Sequence, residues 1–391
     1  DEFDLIICDE AHRTTGATLS GKDESKFIRI HKDENIKAKK RLYMTATPKI
    51  YGETAKKKEY EGEVNLASMD DEDLFGPTFI HRSFGWAVEN NLLTDYKVVV
   101  LIIDEQVVSN RVQKNFLDGS TELNLDDVTK MVGCYKALAK IGINNNQNSD
   151  LEKNKPMKRA LAFCQNINLS KTFASEFSSV VKEYIKNENI PSDSKKEINV
   201  ELHHVDGTFN AEKRNEKLNW LMEETDEDIC RVLSNARCLS EGVDVPALDA
   251  IMFLHPRKSQ IDVVQSVGRV MRKAKGKDLG YVILPIAVAP GVSAERALSD
   301  NKRYQVIWQI LNALRAHDER FDSTINRIGL GENVSNRIEI IETTSVIEDI
   351  KNKSKERKEK KKPIGGDDPK NDKGGGDTAT QLSFTLTDLS K

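Results

Sequence analysis

Apolar runs of strand length alternate along this chain with stretches whose apolar residues recur at helical spacing. The first run, Leu5-Ile6-Ile7-Cys8, stops abruptly at Asp9-Glu10-Ala11-His12. Uncharged residues bounded by polar ones predict a central parallel strand covered on both faces, with its acids at the rim where ligands of such sheets bind. The polar, lysine-rich stretch from Thr14 to Lys40 predicts a loop and a short helix. Arg41-Leu42-Tyr43-Met44 then predicts a second short strand, ending in Thr45-Ala46-Thr47 before Pro48 stops it. Residues 52 to 75 are acidic and broken, and Phe84 to Leu93 predicts a short helix. Tyr96 to Ile103 is a β-branched run of strand length. Asp104-Glu105 end it and repeat the pattern of carboxylates after a strand; they are read as solvated.

From Asp126 the spacing turns helical, with Val128, Met131, Val132, Tyr135, Leu138 and Ala139 on one face. Ala160 to Cys164 returns to strand character, and a helix carrying Phe173, Phe177, Val180, Val181 and Tyr184 follows. His203-His204-Val205-Asp206-Gly207 predicts a strand end leading into a helix from Glu212 to Met222. Neighbours on a strand point to opposite sides, which argues against the two histidines sharing a metal. Strands are predicted again at Arg231 to Ser234 and Ile251 to Leu254, and a helix over Gln265 to Arg272. Strand followed by helix, repeated, is the pattern of an α/β protein with a doubly wound parallel sheet. Tyr304, Ile307, Trp308, Leu311 and Leu314 form the core-facing stripe of a helix over 303 to 321. Past residue 349 lysine, glycine and aspartate dominate, too few apolar residues remain for a core, and a disordered linker is expected.

With 391 residues the chain exceeds one average domain, so two domains and a tail are expected. No apolar run approaches a membrane span and the front does not resemble a signal peptide, which predicts a cytoplasmic location without membrane contact. Five scattered cysteines without a CxxC pair fit reduced thiols rather than disulfides or zinc. The net charge of -4 argues against a uniformly basic nucleic-acid binder and moves attention to local groups.

Three constellations carry candidate chemistry. One of the paired carboxylates Asp9 and Glu10 can hold Mg²⁺ while its neighbour orients and deprotonates an attacking water, as phosphoanhydride hydrolysis needs. Ser234, Asn235 and Arg237 stand at a strand's carboxyl end and suit phosphate oxygens of a bound nucleic acid. Beyond them Gly242 permits close approach of backbone to a ligand, and Asp244 can bond ribose hydroxyls or a neighbouring motif. On a helix Gln265, Arg269 and Arg272 share a face, and a fixed guanidinium can neutralise charge developing on a transferred phosphoryl group. Lys273, Lys275 and Lys277 are expected to extend that positive surface.

The order of Asp9-Glu10-Ala11-His12, Thr45-Ala46-Thr47, Ser240-Glu241-Gly242-Val243-Asp244-Val245-Pro246 and Gln265-Ser266-Val267-Gly268-Arg269-Val270-Met271-Arg272 resembles a superfamily 2 DEAH-box helicase or translocase motor. The resemblance runs from about residue 3 to residue 285. The fuller phrases Cys8 to Gly16 and Tyr43 to Gly52 look most like the motor segments of type I and type ISP restriction-modification enzymes. The fold this implies is RecA-like, with parallel sheets and helices on both faces. Residues 1–90 would end a first RecA-like domain, 91–290 form a second, 291–345 a helical extension and 346–391 the linker.

The resemblance makes Asp9 the Mg²⁺-associated acid, Glu10 the catalytic base, and Thr45 and Thr47 couplers between nucleotide and nucleic acid. His12 would sense the opposite domain. Gly242 and Asp244 would face the nucleotide, Arg269 and Arg272 would act as fingers, and Asp206 and Gly207 would touch the nucleic-acid backbone. The implied cofactors are ATP and Mg²⁺, and the implied partner is double-stranded DNA. Nuclease, methyltransferase and target-recognition parts would lie in the same longer chain or complex of a bacterial enzyme. No GxxxxGK[ST] phosphate loop occurs in these residues; it is expected before Asp9 in a longer protein, and without it ATP turnover is not expected. An RNA or DNA helicase of the same superfamily, or an inert nucleic-acid-binding module, are the alternatives.

Overall fold

The computed structural model describes residues 2–19, 26–109, 112, 123–141, 143, 155–187, 197–236, 248–255, 259–289, 305–329 and 337–343. The expected sites at Arg237, Gly242 and Asp244, the stripe position Tyr304 and the expected linker 346–391 lie outside them. The chain divides into two compact units between Arg82 and Ser83.

In the first unit β1 (Ile6–Cys8) lies parallel to β3 (Arg41–Tyr43), with Ile6 opposite Arg41 and Cys8 opposite Tyr43. A second pair, β2 (Gly16–Leu19) and β4 (Val64–Ala67), is antiparallel and was not legible in the polar sequence around it. Helices α1 (Glu53–Tyr60) and α2 (Glu72–Phe75) accompany them, and Asp71 caps α2 by accepting from the Asp73 and Leu74 amides. Phe75 packs edge-on against both Tyr43 and His31. The expectation of a first strand covered on both faces is not met, because Leu5 and Ile7 are half exposed or more. Among the described residues their sheet has two strands.

The second unit opens with α3 (Phe84–Glu89), capped by Ser83. It continues through β5 (Asp95–Asp104), α4 (Glu105–Ser109), α5 (Leu125–Leu138), β6 (Arg159–Phe163) and α6 (Ile167–Lys186). Then follow β7 (Asn199–Val205), α7 (Ala211–Met222), β8 (Ile229–Asn235), β9 (Ala250–Phe253), α8 (Gln260–Val270) and β10 (Leu279–Val288). The unit closes with α9 (Gln305–His317), α10 (Glu319–Gly329) and β11 (Ile338–Thr343). All seven strands run parallel in the order β11-β5-β10-β9-β6-β8-β7. Asn124, Asn166, Asn210 and Ser259 each cap the helix they precede, satisfying an amide that the first turn leaves unbonded.

Alternation along β5 divides the core. Tyr96, Val98, Val100 and Ile102 face one layer, with apolar residues of α7, α8, α9 and α10. Val99, Leu101 and Ile103 face the other, with α4, α5 and α6. Both faces of the sheet are therefore covered, as a parallel sheet requires. Trp308 is buried in the first layer, as its stripe position predicts.

Three expectations are corrected. The helix over 303 to 321 is two helices, broken at the buried Asp318, whose carboxylate accepts from the Arg320 amide at 3.0 Å. The segment expected as a helical extension also supplies the edge strand β11. Asp104 is not solvated: it is buried, and its Oδ1 accepts from the Gln106 amide at 2.7 Å.

Candidate functional site

Parallel pairing of β1 with β3 brings the two motifs of the first unit to the same strand ends. The Met44 amide donates to the Cys8 carbonyl and the Ala11 amide to the Met44 carbonyl, each at 2.9 Å, which ties the acid-bearing turn to the threonine-bearing one. Glu10 enters its turn with φ 48 and ψ 45, left-handed backbone that a non-glycine residue adopts at a cost and that clusters at functional sites. Asp9 is exposed and its Oδ1 accepts from the Glu10 amide at 2.9 Å.

Buried His12 joins the two turns. Its Nδ1 lies 3.0 Å from Thr45 Oγ1 and 3.4 Å from Glu10 Oε2. Thr45 Oγ1 in turn accepts from the Thr47 amide at 3.1 Å. Thr47 is buried and its hydroxyl has no hydrogen-bond partner among the described residues, an orphan of the kind that marks a polar site. Asp9, Glu10, His12, Thr45 and Thr47 are thus one constellation. Its donors are hard oxygens, and Mg²⁺ is commonly held by one or two carboxylates together with substrate phosphates and water, so the residues present fit that ion.

In the second unit all strand ends point to one edge, and five polar side chains interlock beneath it. Ser234 at the end of β8 and Ser170 in the first turns of α6 are fully buried, their hydroxyl oxygens 2.9 Å apart. Ser170 Oγ is 2.7 Å from His204 Nδ1, and His204 Nε2 is 2.9 Å from Asp206 Oδ2. Asp206 Oδ1 accepts from the Thr208 amide at 2.8 Å and the Thr208 hydroxyl at 2.5 Å. The Thr208 and His204 hydrogen bonds hold the Asp206 carboxyl down at about 2. As the strand geometry requires, His203 faces the other way, against the Trp220 ring.

This arrangement corrects three expected nucleic-acid contacts. Ser234, Asn235 and the Asp206 side chain are buried and bond inward, Asn235 to the Ala162 carbonyl at 3.2 Å, so none presents its side chain to a ligand. A polar residue at a strand end reads the same in sequence whether it faces solvent or a distant internal partner. Gly207 does leave its backbone open, since an added Cβ would meet nothing within 4 Å.

The arginine motif lies on α8, where Gln265 is half-buried and Arg269 buried. Arg272 does not share their helical register, because α8 ends at Val270 and the Arg272 amide donates to the Arg269 carbonyl at 3.2 Å. The helix end is held tightly. The Thr94 amide donates to the Met271 carbonyl at 2.7 Å, and Lys277 donates to the Val270 carbonyl and, at 2.9 Å, to the Arg272 carbonyl. Lys277 is therefore a cap for this helix rather than part of an open positive surface; burial draws its ammonium down to about 8, against the pull of Asp249. Gly280 on β10 makes the close approach possible, since a Cβ there would lie 2.5 Å from the Val270 carbonyl oxygen.

Known proteins share this architecture. The family "Helicase conserved C-terminal domain" matches residues 139–274, and "Type III restriction enzyme, res subunit" matches residues 1–50. The ATP-dependent type ISP restriction-modification enzyme LlaBIII bound to DNA superposes with a TM-score of 0.71 at 42% identity over 88% of this chain. A nuclease-deletion mutant of the type ISP enzyme LlaGI, in complex with a DNA substrate mimic, gives 0.50 at 32% identity over 93% of the chain. "Probable helicase A859L" of African swine fever virus (strain Badajoz 1971 Vero-adapted) is 24% identical over 82% of the chain. The chain spans 22%, 20% and 30% of those three proteins respectively.

The chain has the RecA-like α/β fold, and its motif order and partial family matches are similar to those of superfamily 2 helicase-type motors. Within that class the chain is similar to the type ISP restriction-modification enzymes. Among the described residues no helix is long and apolar enough to cross a membrane.

Proposed function

We propose that these residues are the hydrolytic and nucleic-acid-handling part of an ATP-dependent DNA translocase of a bacterial restriction-modification enzyme, acting in the cytoplasm and moving on double-stranded DNA. The observation that carries this reading is the junction at His12, whose ring meets both Glu10 of the acid-bearing turn and the Thr45 hydroxyl of the other turn. Asp9 would hold Mg²⁺, and Glu10 would take the proton of the attacking water. The ion, when bound with ATP, supplies charge neutralisation at the β- and γ-phosphates. His12 and Thr45 offer a short path by which a change at the nucleotide reaches the Thr47 turn. Arg269 and Arg272 would offset the charge developing on the transferred group, with Gln265 of the same motif beside the reacting centre and Gly242 and Asp244 facing the nucleotide.

The DNA-bound state of LlaBIII and the DNA mimic on LlaGI favour DNA as the partner. Nuclease, methyltransferase and target-recognition parts would share the longer chain or complex. A strand-separating helicase is the second reading, favoured by the helicase family match. Triplex displacement and duplex unwinding, run side by side on the full-length enzyme with ATP, separate the two. Translocation predicts release of the third strand with the duplex left intact. Unwinding of the duplex supports the helicase, and ATP-independent binding alone an inert module.

A further inference from the structure

Lys171 stands on α6, five positions past its Asn166 cap, with its side chain 59% exposed. Its ammonium lies 3.8 Å from Asp206 Oδ2, outside hydrogen-bond reach, and it makes no hydrogen bond among the described residues. Asp206 does not need it: that carboxylate already meets His204 Nε2, the Thr208 amide and the Thr208 hydroxyl. The buried charge steers the lysine without consuming its three donors. Beside Asp206 is the open backbone of Gly207. Both belong to the edge where the parallel strands end, the side on which such sheets bind ligands.

We propose that Lys171 is a phosphate-contacting residue for nucleic acid, and that the buried chain Ser234–Ser170–His204–Asp206 is the device that positions it. This rests on the nucleic-acid-binding part of the proposed function. The chain of hydrogen bonds fastens the end of β8, the start of α6 and the end of β7 to one another, so the lysine and the Gly207 backbone hold a fixed spacing. A phosphate oxygen accepting from Lys171 would displace the counterions of one phosphate. Sequence-specific readout is not expected of such a contact.

The test is binding of a fluorescein-labelled DNA duplex to this chain by anisotropy, between about 50 and 200 mM salt. Lys171→Ala is expected to weaken binding severalfold and to lower the slope of log affinity against log salt by about one, while Lys171→Arg restores both. His204→Ala is expected to give the same loss, and no further loss when combined with Lys171→Ala. Additive losses overturn the positioning role of His204. An unchanged slope in Lys171→Ala, with the parent chain binding DNA, overturns the contact; this side chain is exposed, so its replacement does not threaten the fold. Failure of the parent chain to bind DNA overturns instead the nucleic-acid reading on which the contact rests.

Discussion

Glu339→Ala is expected to destabilise the second unit by about 3–5 kcal/mol, the cost of leaving one partner of a buried ion pair without the other. Lys97 on β5 and Glu339 on the edge strand β11 meet at 2.6 Å, and both side chains are more than nine-tenths buried. Their attraction offsets the loss of hydration only while both are present. Removing the carboxylate leaves an uncompensated ammonium where β11 packs on β5, which weakens the attachment of that strand. For a domain of this size the shift corresponds to a fall in Tm on the order of 10 °C, measurable by calorimetry. Replacing both residues, as in Lys97→Met with Glu339→Leu, is expected to restore most of the stability, because a well-packed apolar pair avoids the desolvation penalty. If Glu339→Ala melts with the parent protein, β11 is not fastened as described.

Arg272→Ala is expected to reduce ATP turnover in the full-length enzyme by about 10³-fold or more, the range of an arginine that neutralises a transferred phosphoryl group. An interaction made in the transition state lowers kcat and leaves KM nearly alone. The surroundings of Arg272 suit such a role, because its own carbonyl and those of Val270 and Met271 are each bound by Lys277 or Thr94. A guanidinium on a fixed backbone needs little reorganisation when charge develops. A rise in KM with kcat unchanged would make Arg272 a ground-state nucleotide contact instead.

What the sequence showed most clearly was the chemistry at strand ends. Asp9, Glu10, Thr45 and Thr47 were legible because each follows a short apolar run, and the structure places both runs side by side. Strand β10 was harder to see. Gly280 and Pro285 interrupt its apolar run, and proline argues against a central strand. Pro285 lies past Ile283, the last residue of β10 that pairs with β9, and opposite Leu101 of β5. Strand β11 carries Glu339 on a buried face, which makes sense only once Lys97, far away in sequence, is known to meet it. The same limit applies to Ser234 and His204. Their partners come from other elements, so local pattern cannot tell an inward hydrogen bond from an outward one.

Under the proposed function Asp9 and Glu10 sit at a hydrolytic centre coupled to nucleic acid. This is tested most directly by ATPase turnover of the full-length enzyme with and without duplex DNA, comparing the parent with Glu10→Gln, which keeps the shape of the side chain and removes its capacity as a base. DNA is expected to stimulate the parent, and Glu10→Gln to abolish turnover with DNA binding retained. Equal DNA-stimulated turnover in the two proteins would contradict the account.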